Sequence, residues 1–201
     1  MPLLPPEPFV YPEGLLKQTL PPAPDSAWWV LHTRPRAEKS VARAAFRRGV
    51  PFFLPLYTRR WRNQGRTFTA RLPLFPGYVF LHADADGREI VYDRTQVANC
   101  LRVPDQERMW QDLVRVFDLM TSGHPMTPEE KLPPGARVVI TDGPLRGLEG
   151  KVIRHGTQCR LVLEVAFIQR GVSVELENWM VKPAGRESGP ERLVAGPAGS
   201  R

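Results

Sequence analysis

Apolar positions along this chain follow two rhythms, one in each half. Trp28-Trp29-Val30-Leu31-His32 is a short β-prone run. Pro35 then pre-sets a first helical turn, helix-forming residues continue from Arg36 to Arg48, and Gly49 supplies a stop. On that predicted helix Ala37, Val41 and Ala45 share one stripe with Phe46 beside it, while Arg36, Lys39, Arg43 and Arg47 share another. Spacings of three and four put each set on one face. Pro51 to Tyr57 reads as a buried strand, and Thr58 to Arg71 as a basic hairpin turning at Asn63-Gln64-Gly65. Tyr78-Val79-Phe80-Leu81 and Val97 to Val103 read as further strands. From Gln106 to Met120 a helical period places Met109, Trp110, Leu113, Val116, Phe117 and Met120 on one side. The order strand–helix–strand–strand–strand–helix predicts an α+β domain, an antiparallel sheet flanked by helices, over residues 27–122.

The second half has shorter runs. Val138-Val139-Ile140, Gly150 to Ile153, Leu161 to Ile168 and Val172 to Val181 are strand-like with frequent turn signals. Leu161, Leu163, Val165 and Phe167 alternate with Val162, Glu164 and Ala166, which favours Phe167 as a core residue. Gly156 and Gly171 stand where hairpin turns need positive φ. Residues 132–183 therefore predict a small five-stranded all-β barrel, joined to the first domain by a linker over 123–131. Residues 1–26 carry prolines at 2, 5, 6, 8, 12, 21, 22 and 24 and predict a disordered or extended Pro-rich arm; 184–201 predict a disordered tail.

Charge changes this picture more than composition does. The net charge is +7, and eleven basic residues stand between Trp28 and Leu72 against a single acid, Glu38. A positive field confined to one stretch steers a polyanion to one face. The basic set is Arg34, Arg36, Lys39, Arg43 and Arg47 around the helix, then Arg59, Arg60, Arg62 and Arg66 on the hairpin. Trp61 among those arginines either stacks on a base, as in single-strand binders, or packs back on the sheet. The two cysteines lie far apart and outside any CxxC pattern, so they read as small apolar residues. The four histidines have no ligand or acid–base spacing, and no phosphate-binding loop occurs. No enzyme, metal or cofactor is expected. With no long apolar run and no secretory signal, the protein is expected to be soluble, cytoplasmic and monomeric.

Two motifs carry a resemblance. Trp28 to Lys39, followed by Leu74-Phe75-Pro76-Gly77-Tyr78-Val79-Phe80, resembles the N-terminal (NGN) domain of NusG-type factors. Gly135 to Pro144, with Gly147, Gly150 and Val152, resembles a KOW motif. The Thr-Arg-Pro-Arg opening and the Leu-Phe-Pro-Gly-Tyr-Val-Phe stretch look closer to RfaH-type specialised antiterminators. The resemblance implies a transcription elongation or antitermination factor whose first domain binds the clamp helices of RNA polymerase. Phe75 is the apolar anchor in that reading, shaped by Pro76, Gly77 and Tyr78, and the basic residues meet upstream or non-template DNA. It also implies a KOW domain that recruits a ribosomal small-subunit protein or a termination factor, with Leu145, Phe167 and Ile168 as candidate contacts. The alternative is a KOW-containing RNA-binding or ribosome-associated protein with no polymerase role.

Overall fold

The computed structural model describes residues 8–17, 25–124, 126–129, 135–141, 146–155, 158–176 and 181–183. The arm outside 8–17 and 25–26, the tail from 184, the middle of the expected linker, Leu145 and Gly156 lie outside the described residues.

The first domain is α+β, as the pattern predicts. Its elements are β1 (Val10–Tyr11), β2 (Ala27–Thr33), α1 (Glu38–Arg47), β3 (Phe52–Phe53), β4 (Leu56–Asn63), β5 (Arg66–Pro73), β6 (Tyr78–Ala83), α2 (Ala85–Val91), β7 (Val97–Arg102) and α3 (Gln106–Thr121). Five strands form one antiparallel sheet in the order β1-β3-β6-β2-β7, while β4 and β5 form a separate two-stranded hairpin. Side chains alternate across the sheet. Leu31, Phe52, Val79 and Leu81 bury one face against α1 and α2. Trp28, Val30, Phe53 and Phe80 bury the other in a cluster with Met109, Leu113, Val116 and Phe117 of α3.

Several expectations change. The predicted strand over 51–57 is two pieces, because Leu54 and Pro55 leave the sheet and β4 departs as the hairpin. The first helix begins at Glu38, not Arg36: Arg36 has φ 66, and the Ala37 N–H closes a turn on the Arg34 carbonyl at 3.1 Å. Its buried stripe is accordingly Val41, Ala42 and Ala45 with Glu38, and Phe46 is 45% exposed. Helix α2 is absent from the sequence reading; Gly87 weakens its helical signal, yet Asp84 caps it by accepting from the Gly87 N–H at 2.7 Å. Within the arm expected to be disordered or extended, residues 8–17 are described, with the extended β1 in the sheet and Leu16 buried.

The C-terminal half is antiparallel throughout, with β8 (Met126–Glu129), β9 (Ala136–Ile140), β10 (Glu149–His155), β11 (Gln158–Val165), β12 (Arg170–Leu176) and β13 (Val181–Pro183) in the order β13-β9-β10-β11-β12-β8. Among the described residues that is six strands where five were expected. The extra one, β8, comes from the predicted linker and pairs with β12. The predicted strand 172–181 is split between β12 and β13, on different sides of the sheet. Gly171 lies inside β12, paired with Glu164, and the left-handed residue is Gln169 (φ 52), because a 3-10 turn at Ala166–Ile168 moves the reversal forward. This half packs on α3 through β11 and the 3-10 turn.

Candidate partner and nucleic-acid interface

The hairpin stands apart from the main sheet. Gln64 (φ 47) and Gly65 (φ 77) are both left-handed, the backbone that lets a two-residue turn match strand twist. The turn fixes the register: Trp61 opposes Phe68, Arg59 opposes Ala70, Arg60 opposes Thr69 and Arg62 opposes Thr67. Residues 58–69 are all exposed. Alternation then gives the hairpin two unlike faces. One carries Arg59, Trp61 and Arg66 with Phe68; the other carries Arg60, Arg62 and Arg71 with Thr58, Thr67 and Thr69. Trp61 does not pack back on the sheet. Its ring stacks on Phe68 at 5.6 Å and 18°, and the two remain 43% and 41% exposed. Phe68 was missed by the sequence reading, although reflection about Gln64-Gly65 pairs it with Trp61.

The other basic group is a row along α1. Arg34 and Arg36 sit exposed in the turn before it, and Arg43 and Arg47 are exposed on the helix with Lys39 half-buried. The single acid of this stretch faces inward. Glu38 is 6% exposed, and its Oε1 accepts the Gly77 N–H at 2.8 Å. The Thr33 N–H donates to the Gly77 carbonyl at 2.8 Å. The two motifs are thus joined, helix to turn, by one carboxylate and one strand amide.

The turn itself corrects an expectation. Phe75-Pro76-Gly77-Tyr78 closes by the Tyr78 N–H on the Phe75 carbonyl at 3.1 Å, with φ +84 at Gly77, the pattern of a type II turn with proline and glycine at its centre. A Cβ on Gly77 would meet only ordinary contacts, 3.6 Å from the His32 ring, so the constraint is φ and not space. Phe75 is buried, 1% exposed, edge-on to Phe80 at 6.1 Å. The turn folds its first residue under the sheet instead of presenting it. Pro76 is exposed, and Tyr78 is half-buried with its ring stacked on the exposed His32 at 5.3 Å. Replacing Glu38 by alanine leaves the Gly77 N–H without its acceptor and is expected to cost about 1–3 kcal/mol. Urea unfolding should show it, with Glu38→Gln, which keeps the acceptor oxygen, losing less.

In the C-terminal half the positions of the candidates also change. Ile168 is buried at 8% exposure and is a core residue, whereas Phe167 leaves the strand alternation in the 3-10 turn and is 37% exposed. A cleft of about 1040 Å³ separates α3 from this sheet, lined by residues of both charges. On its sheet side Lys151 of β10 and Glu164 of β11 form an ion pair at 2.6 Å. Asp112 of α3 is buried beside it, accepts the Ala166 N–H at 3.0 Å and faces Arg115 at 3.4 Å. Burial pushes the Asp112 carboxyl above its ordinary range, against the pull of that hydrogen bond and of Arg115. Its ionised form therefore strains the junction at high pH, and the strain eases as pH falls through the raised pKa. Among the described residues no cluster of three or more His, Cys, Asp or Glu could hold a metal, and no helix is long and apolar enough to cross a membrane.

Residues 26–114 match a family model described as NusG, transcription termination factor nusG. The match runs from the start of β2 into α3 and contains both basic groups and the Phe75–Tyr78 turn. No curated protein sequence matches the chain. Among solved structures, a chain in the crystal structure of the MjSpt4:Spt5 complex, conformation B, is similar at 21% identity, covering 79% of this chain and 97% of that one, with a TM-score of 0.27.

Proposed function

We propose, from the match of residues 26–114 to the NusG family model, that this chain is a transcription elongation factor that rides on RNA polymerase and holds DNA near the transcription bubble. The observation that carries this reading is that the family match covers the same segment that concentrates the basic residues. The surface offered to the polymerase clamp helices is Pro76 and Tyr78 with His32, and Phe75 supports it from below. The arginines of the hairpin and of α1 suit phosphates, because guanidinium groups stay charged and offer several planar donors. Contacts of that kind hold upstream or non-template DNA with little sequence preference. Phe167, exposed in the 3-10 turn, is the candidate contact for a second partner, a ribosomal small-subunit protein or a termination factor.

The test is co-migration of the full chain with an assembled elongation complex at low salt. Binding is expected, and Tyr78→Ala is expected to weaken it by about tenfold or more, since a buried aromatic anchor is worth about 2 kcal/mol at an interface. Failure of the wild-type chain to co-migrate overturns the reading.

A further inference from the structure

The family match begins at residue 26, yet the sheet of the matched domain ends on a strand from outside it. Val10 and Tyr11 pair with Phe53 and Phe52, and the Leu54 N–H donates to the Phe9 carbonyl at 2.7 Å. Pro8 and Pro12 stand on either side, and neither has an N–H with which to lengthen the ladder. Two tight turns follow, Leu15 N–H to the Pro12 carbonyl at 2.9 Å and Lys17 N–H to the Gly14 carbonyl at 3.0 Å. They lower Leu16 into the core, while Phe9, Val10 and Leu15 remain only partly buried against it. The Phe9 ring lies on Phe117 of α3 at 6.4 Å, Lys17 Nζ stands 5.9 Å from the centre of the Phe117 ring, and the Arg71 guanidinium covers Phe9 at 5.4 Å.

Beneath this segment runs a continuous row of aromatic rings. Phe117 meets Phe53 at 6.1 Å, Phe53 meets Phe80 at 6.3 Å, and Phe80 meets Phe75 at 6.1 Å, at the turn that leads to Tyr78. Uncovered, the near end of that row is an apolar patch of the kind that marks an interaction site. The cover itself is lightly attached: a two-residue ladder closed off by prolines and one fully buried side chain hold about ten residues in place against their conformational entropy. Segments with so few buried contacts open locally, well below the free energy of global unfolding.

We propose that residues 8–17 are a displaceable strap, which occupies the apolar face of Phe53 and Phe117 in the free protein and gives it up to the polymerase surface that docks beside Tyr78. The identity of the displacing partner rests on the function proposed above; the looseness of the strap does not. A ligand-competent face that is covered most of the time binds more weakly by the fraction uncovered, so the strap tunes how readily the factor is recruited.

Hydrogen exchange on the full wild-type chain tests the strap without any partner. The Leu54 amide is expected to exchange, relative to its intrinsic rate, about 100-fold faster than the Val30 and Phe80 amides of the central strands. Equal protection at all three sites means that the strap opens only on global unfolding and overturns the proposal. The second arm compares the full chain with one lacking residues 1–17 and with the full-length double variant F9A/L16A. Both are expected to keep the fold by circular dichroism, to bind a hydrophobic dye, and to bind the elongation complex about tenfold more tightly; a peptide of residues 8–17 added in trans should reverse the gain. Loss of fold in both variants, or unchanged or weaker affinity in a folded one, overturns the strap. If neither the wild-type nor the altered chains bind the complex, the polymerase reading fails, and the exchange result alone decides the strap.

Discussion

Phe75→Ala is expected to lower the stability of the chain by about 3–5 kcal/mol, the cost of emptying a fully packed phenylalanine site. Against a total of about 5–15 kcal/mol for a typical domain, that is a large fraction. Phe75 is 1% exposed, meets Phe80 edge-on at 90°, and sits in the cluster that joins the sheet to α3. Truncation therefore removes an aromatic pair as well as buried area, and neighbours tied to strands on several sides have little freedom to collapse into the gap. The measurement is a urea melt of the full chain, where the midpoint should fall with an unchanged slope. A loss below about 1 kcal/mol, together with weakened polymerase binding, would return Phe75 to the surface as a contact residue. Tyr78→Ala should behave in the opposite way, with most of its effect on binding.

The second large effect is expected from the hairpin. Changing Arg59, Arg60, Arg62 and Arg66 to glutamine should leave the melt unchanged, because all four side chains are exposed. Binding to a single-stranded oligonucleotide should lose about 3 from the slope of log affinity against log salt, and about a hundredfold in affinity at low salt, if each arginine releases about one counterion. The double change Trp61→Ala with Phe68→Ala separates the two faces. It should cost about tenfold to a hundredfold in affinity, the worth of a stacked base, with the salt slope preserved. A salt response in the wild-type chain that is already flat overturns the phosphate reading altogether.

Much of the first domain was legible because its periods are long and clean. Helix α3 and strands β2, β6 and β7 follow directly from apolar residues repeating at helical or two-residue spacing. The hairpin was legible from one turn signal, Gln64-Gly65, and its register could have been read further, to Phe68. The errors share a physical origin, since they fall where tertiary contacts override local pattern. Arg36 leaves the helix in the turn between Arg34 and Ala37. Phe75 beside Pro-Gly looked stranded at the surface, but the turn reverses the chain and delivers its ring beneath the sheet. Ile168 and Phe167 exchange their expected roles because a three-residue turn breaks the alternation at Ala166. Glu38 read as one acid in a basic field; its partner, the Gly77 amide, is 39 residues away, and no local spacing announces it.

The detached hairpin has a consequence for how related chains can diverge. Beyond Tyr57 and Ala70 its two strands are exposed, and the six residues from Thr58 to Asn63 extend it by about 20 Å at a rise of about 3.3 Å each. Its length is free to vary while the rest of the domain stays as it is. Parity is the one restriction. Adding a residue to each strand near the tip keeps the rungs matched but carries the new end pair to the reverse side, whereas two per strand restore the original handed arrangement. Reach can therefore drift in steps of two rungs without exchanging the ring-bearing side for the threonine-lined one.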